Sequence, residues 1–228
     1  MSKSILIIIA RFSRPLFLCL SASAVGLDAS AEVIKPVCPA CTGEKENLAG
    51  ADLRRMNLNG RNLECANMEG ANLSRSSLIT ANLRGATLSK ADMGRTQLMG
   101  ANLECATMTG ANLKGAKLQG ANLQEVDLTD ADLHSANFAG ANLSYATLSG
   151  ADMARSVLSS AKVPYALLKK TKFYRAVAIA ANFYGADLEG SEFTRADFSW
   201  SNLTQANLSG AIFQGTRYVG VEFNSSPP

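Results

Sequence analysis

Two cysteines three residues apart, in the run Cys38-Pro-Ala-Cys41, are the most reactive-looking pair in the chain. A CxxC pair does redox chemistry when a βαβ unit presents it. It does metal chemistry when two further ligands complete a tetrahedron. Neither setting is evident: no βαβ pattern surrounds the pair, and the single histidine, His134, is far along the chain. The motif is expected to cap the repeats that begin just after it, as a loop that a Cys38–Cys41 disulfide closes if the compartment is oxidising. His134 stands two residues from Asp132, which suits a surface ion pair better than acid–base work. There is no glycine-rich phosphate loop and no Ser–His–Asp arrangement. No catalytic residue, cofactor or metal site is expected, and no small-molecule substrate.

The rest of the chain explains that poverty. Every fifth residue from Leu48 to Phe223 is an apolar inward candidate, and 33 of these 36 positions are Leu, Met or Phe. Only Val163, Ala178 and Tyr218 depart. Two residues before each, 24 of 36 positions are Ala and seven are Ser or Thr. A period of five fits neither a helix nor simple alternation. It fits a short strand, with the small and large residues facing one way, followed by a corner where Gly often sits. Arg55, Arg75, Arg95, Arg155, Arg175 and Arg195 are separated by multiples of 20, as are Asn62, Asn82, Asn102, Asn122, Asn142, Asn182 and Asn202. That longer rhythm means four units per turn. About nine turns stacked at roughly 4.8 Å make a rod about 43 Å long.

Runs such as ADLRR, ANLSR, ANLKG and ADLHS resemble the A-[DN]-L-x-x unit of the pentapeptide-repeat family over residues 46–225. The resemblance implies an all-β, right-handed quadrilateral β-helix with the Ala and Leu positions inside. It also implies a non-catalytic protein. Some members bind bacterial DNA gyrase as dimers with acidic, DNA-like surfaces, and others are secreted or lumenal.

The four faces differ. The face centred on Leu53, Leu73 and Met93 carries nine basic and five acidic residues, including the arginine ladder. It is either a solvated face of Asp–Arg pairs, each contributing little, or a docking strip for an anionic partner, interrupted at Gly115 and Ser135. The next face exposes Ile79, Met99, Val177, Ile179 and Trp200 and has few charges. It reads as a partner or homodimer surface, or as scattered apolar residues. The asparagine set should form an amide ladder between coils. Pro164 and Ala178 mark the one irregular stretch, 163–180, where a bulge or bend is expected. Its basic and aromatic residues are either a repair of the repeat or a binding patch. Cys65 and Cys105 share a corner two coils apart, about 9.6 Å, too far for a mutual disulfide. They are expected as free thiols.

Residues 1–31 read as a signal peptide: Lys3, Arg11 and Arg14, a short apolar stretch, then Ala29-Ser30-Ala31 before Glu32. A cut after Ala24 and an uncleaved anchor are the alternatives. Residues 32–45 form the cap, 46–225 the solenoid and 226–228 a tail, with no membrane span after the signal. The remaining chain has 19 basic and 18 acidic residues, so it has no global attraction for nucleic acid. The expectation is an exported, periplasmic or secreted scaffold binding a protein partner that the sequence does not identify. A cytosolic gyrase-binding DNA mimic is the alternative, with a secreted effector behind it.

Overall fold

The computed structural model describes Cys38, Cys41 and residues 45–223. The signal segment, most of the cap and the tail lie outside the described residues. Within the unit Lys35–Pro228, each side of the coil pairs through one residue with the residue twenty further on. Asn47 bridges Asn67, Asp52 bridges Asn72, Asn57 bridges Ser77 and Asn62 bridges Asn82, all parallel. The same step continues to Asn202 and Glu222. Four units therefore make one turn.

The repeat unit follows from where its polar groups go. Its first residue donates its N–H across the corner to the third residue of the preceding unit, as in Ala51 N–H to Leu48 O at 3.0 Å. The second residue donates to the coil before it, as in Asn67 to Glu46 O at 2.9 Å. The third and fifth donate to the coil after it, as in Leu48 to Asn67 O at 2.7 Å and Gly50 to Glu69 O at 2.8 Å. The fourth N–H is commonly taken by the side chain two residues back. Asp92 Oδ1 accepts from Gly94 at 3.1 Å, and Asn182 Oδ1 from Tyr184 at 3.0 Å. This explains the preference for Asn or Asp at the second position: its short carbonyl arm satisfies a corner amide as an Asx turn does.

Ala and Leu fill the axis. Ala121 is 1% exposed and Leu123 fully buried, in one core that runs from Leu58 to Leu203. Hydroxyls replace Ala without stranding a polar group where they reach a carbonyl. Ser76 Oγ donates to Leu73 O at 2.6 Å and Thr171 Oγ1 to Leu148 O at 2.9 Å. Each corner needs a positive φ in the fifth residue. Twenty corners hold a non-glycine residue there, with φ between 55° and 63°.

The bulge expected around Pro164 is not formed. Val163 is buried at 1% and the Asn142–Lys162–Asn182 bridges run through without a break. The reason is local: Pro164 occupies the fourth position, whose N–H normally goes to the second side chain, and Lys162 offers no oxygen there. A residue without an N–H loses nothing at that site. Ala178 is compensated by rings. Phe173, Phe183 and Phe198 pack with centroids 5.2–6.4 Å apart around its level.

Candidate functional site

The arginine face is built by the corner register. Arg55, Arg75, Arg95, Arg155, Arg175 and Arg195 all take the fifth position, with φ of 55–60°, and all are exposed. Left-handed backbone costs a residue with a Cβ about 1 kcal/mol or more, so glycine would be the relaxed choice. Stacked coils bring guanidiniums of like charge one above another. Among the described residues none of the six forms an ion pair. The acids of this face turn to their own backbone instead. Asp92, Asp132 and Asp152 accept from the N–H groups of Gly94, His134 and Ala154 at 2.9–3.1 Å. Asp52 is taken by Arg54, at 2.6 Å and 2.8 Å. That hydrogen bond holds the Asp52 carboxyl down at about 2 and raises the Arg54 guanidinium above its usual range. Interleaved Asp–Arg pairing by the ladder is therefore absent among the described residues. Arg175 lies over the Tyr174 ring at 5.3 Å.

The expected His134–Asp132 ion pair is also corrected. Asp132 accepts the backbone N–H of His134, and its nearest cation is Lys114 at 3.9 Å. The gap in the ladder at Gly115 and Ser135 is a shallow hollow, lined among others by Arg75, Arg95, Lys114 and His134.

The cysteines pair differently from expectation. Cys38 is bonded to Cys105 and Cys41 to Cys65, with Cα separations of 5.7 Å and 5.8 Å. There is no Cys38–Cys41 bridge, and Cys65 and Cys105 are not free. Three extended residues span about 10 Å, the rise of two coils, so the CxxC spacing matches the 40 residues from Cys65 to Cys105. Cys38 and Cys41 both sit on the corner column Cys65, Gly85, Cys105, Glu125. Gly85 leaves room for Cys41: a Cβ there would stand 2.9 Å from Cys41 Sγ and 3.2 Å from Cys65 Sγ. Glu125, 7% exposed, places its Oε2 3.4 Å from Cys38 Sγ. The signal for this pairing was present in the shared column of residues 65, 85 and 105. Considering the two wall cysteines only against each other missed it.

Further along the same column Tyr145 and Tyr165 stack at 5.4 Å, and Tyr184 meets Tyr165 edge-on at 5.5 Å. Burial and the neighbouring Tyr184 hydroxyl push the Tyr165 phenol above its usual range. The asparagine ladder forms from Asn62 to Asn142, with amide contacts of 2.9–3.4 Å, and stops at Lys162. The apolar strip is less exposed than its sequence suggests. Ile79, Met99 and Val177 are half-buried, whereas Ile179, Trp200 and Val219 are exposed. The Trp200 ring lies against Gly220, in the space a side chain there would need.

A four-sided parallel solenoid with Ala and Leu on its axis and Asn or Asp at its corner amides defines a class of repeat scaffold. Eight copies of the family described as pentapeptide repeats match over residues 47–79, 66–104, 76–115, 106–144, 136–175 and 181–217, and the chain belongs to that family. Among solved structures it is similar to HetL, a pentapeptide repeat protein involved in heterocyst differentiation regulation from the cyanobacterium Nostoc. The two are 28% identical over 80% of this chain and 91% of that one, with a TM-score of 0.50. It is also similar to QnrB1, a plasmid-mediated fluoroquinolone resistance protein, at 20% identity over 79% of this chain and 91% of that one, with a TM-score of 0.42. A third similar structure, a pentapeptide repeat protein of the Arabidopsis thaliana thylakoid lumen, is 30% identical over 51% of this chain and 67% of that one, with a TM-score of 0.38. No curated protein sequence matches the chain.

Proposed function

We propose that the chain is an exported, non-catalytic scaffold, a nine-coil β-helical rod that holds its arginine face against an acidic protein partner. The observation that carries this is the ladder of six exposed arginines with no carboxylate partner among the described residues. Their charge is unfavourable until something negative lies across them. Attraction over such a face steers encounter and fixes register more than it adds affinity. Each arginine also occupies a backbone conformation that glycine would adopt at lower cost, so the charge is kept against local stability.

Export is supported by the two disulfides, which persist in oxidising compartments, and by the signal-like residues 1–31. The gyrase reading needs a cytosolic chain with an acidic surface. A likeness at 20% identity to QnrB1 speaks only to the fold.

Two experiments test this. Intact mass of the native protein from periplasmic and cytosolic fractions should give a mature start near Glu32 in the exported fraction; an intact Met1 in the cytosol overturns export. Wild-type protein should be retained on immobilised polyglutamate at low salt and elute as salt rises, and the Arg75→Glu/Arg95→Glu double variant should pass through. Passage of the wild type, or equal retention of the variant, sinks the anionic-partner reading.

A further inference from the structure

Glu125 is the one buried ionisable residue among the described residues, 7% exposed on a wall that is otherwise hydroxyl or apolar where buried. No lysine or arginine pairs with it among the described residues. Its Oε2 points at Cys38 Sγ, 3.4 Å away. A disulfide sulfur has no hydrogen to give, so in the oxidised chain Glu125 Oε2 has no protein donor among the described residues. A buried carboxylate without a partner is costly. Glu125 Oε2 faces the two sulfurs, where a thiol or a sulfur-bound cation would partner it.

The geometry suits a cation. Cys38 Sγ, Cys105 Sγ and a Glu125 carboxylate oxygen all lie within 4.8 Å of one another. In a tetrahedral zinc site the bonds are about 2.3 Å to thiolate and about 2.0–2.2 Å to carboxylate, which sets the S···O edge at about 3.5 Å. The 3.4 Å seen between Cys38 Sγ and Glu125 Oε2 already has that length. Opening the S–S bond and separating the sulfurs to about 3.8 Å would complete the other edge. Cys38 is exposed, which gives an entry path and leaves a fourth position to water.

The two disulfides are not equivalent. Cys41 Sγ packs on Gly85, 3.6 Å from its carbonyl oxygen, and is half-buried, whereas Cys38 is open to solvent. Access governs exchange, so an external dithiol reaches Cys38–Cys105 first. The intact Cys41–Cys65 bond then keeps Cys38 beside Cys105.

We propose that the reduced Cys38 and Cys105 thiolates, with the Glu125 carboxylate, form a binding site for a thiophilic divalent cation, Zn²⁺, that excludes the Cys38–Cys105 disulfide. In the exchange, a dithiol's thiolate attacks Cys38 Sγ and Cys105 leaves as a thiolate. The second thiol of the reductant then displaces Cys38, and the reductant departs as its own disulfide. The two disulfide sulfurs have gained two electrons and two protons and are now two thiols. Binding of Zn²⁺ releases those two protons as both sulfurs coordinate. Exchange in the reverse sense, with a small-molecule disulfide taking the two electrons and leaving as two thiols, re-forms Cys38–Cys105 and expels the metal.

The test uses the full chain with Cys19→Ser, to remove the fifth thiol, and Zn²⁺ as the probe. After anaerobic reduction the chain should bind one equivalent of Zn²⁺, and the oxidised chain none. Glu125→Gln, which keeps the side-chain shape, should weaken binding at least tenfold, and Cys105→Ser should abolish it. A reduced chain that takes up no Zn²⁺, or a Glu125→Gln chain that binds it equally, overturns the proposal. A second measurement needs no variant at the site. In the reduced chain Zn²⁺ should shield Cys38 and Cys105 from alkylation, as read by peptide mass; shielding of neither overturns it.

Discussion

The two ends of the solenoid face the same problem and meet it differently. Towards the N-terminus the axis is aliphatic, with Leu63, Met68, Leu73 and Leu78. There the wall is clasped from outside by Cys38–Cys105 and Cys41–Cys65. Towards the C-terminus no disulfide is present among the described residues, and the axis turns aromatic. Phe173, Phe193 and Phe213 stack on successive coils at 5.2 Å and 4.8 Å, with Phe198 edge-on to Phe193 at 4.9 Å. In a solenoid each coil contacts only its neighbours, so the ends are the weakest places. One end is held by covalent constraint on the unfolded chain, the other by burying larger side chains. The difference teaches that a uniform repeat can carry two separate stability devices without changing its backbone.

The largest expected effect is on the aromatic end. Phe193 is fully buried and touches rings above, below and beside it. Phe193→Ala should cost about 3–5 kcal/mol. Because coupling is local, hydrogen exchange should quicken first in the coils beyond residue 170 while the clasped end stays protected. Uniform acceleration along the whole chain would show that the two ends are not independent.

Next in size is the clasp. The two disulfides close loops separated by 67 and 24 residues, and removing either should cost about 2–4 kcal/mol. Cys41→Ser/Cys65→Ser should expose the first coils to exchange and leave the phenylalanine stack unchanged. Gly85→Ala should act the same way to a smaller degree, because its methyl would crowd Cys41 Sγ and Cys65 Sγ. If that variant is as stable as the wild type, the Cys41–Cys65 bond does not lie where Gly85 makes room for it.

These expectations also show what a sequence of this kind discloses. One apolar residue in five, held in phase from Leu48 to Phe223, made the four-sided coil legible, because nothing but a strand and corner satisfies that period. The arginine column was equally legible from the 20-residue rhythm. Its lack of carboxylate partners was not, because an Asp two residues before a corner amide is used by that amide, a local competition that charge counting ignores. The cysteine pairing was hidden for another reason. It joins residues outside the repeat to corners two coils apart, and only the match between a three-residue spacing and the rise of two coils reveals it. Glu125 had no signal at all: it looks like any other acidic corner residue until Cys38 lies over it.

A smaller effect, of opposite sign, separates the arginine face from both ends. Arg75 and Arg95 hold φ of 60° and 58°. Replacing either with Gly should relieve strain and like-charge repulsion and raise stability by about 1 kcal/mol, less the chain entropy glycine adds when unfolded. The same variants should elute from polyglutamate at lower salt. Gain of stability with loss of retention marks a face kept for binding. Gain of stability with unchanged retention would mean that these two corners are merely tolerated.

The smallest effect tests how the acids of that face are used. Asp52 is held at about 2 by the side-chain hydrogen bond from Arg54, with the Arg54 backbone N–H adding to it. Its folded value lies below its ordinary one of 3.8. Any stability from the pair is therefore present above pH 3.8 and is lost as the pH falls toward 2. The pair is open to solvent, so screening should keep the effect on melting small, and the carboxyl resonance is the better readout. Arg54→Ala should move the Asp52 titration most of the way back up. Arg55→Ala should leave it where it is, because Arg55 forms no ion pair with Asp52 and has no part in its shift. If Arg55→Ala shifts Asp52 instead, the column is partnered after all, and the case for an anionic docking face falls with it.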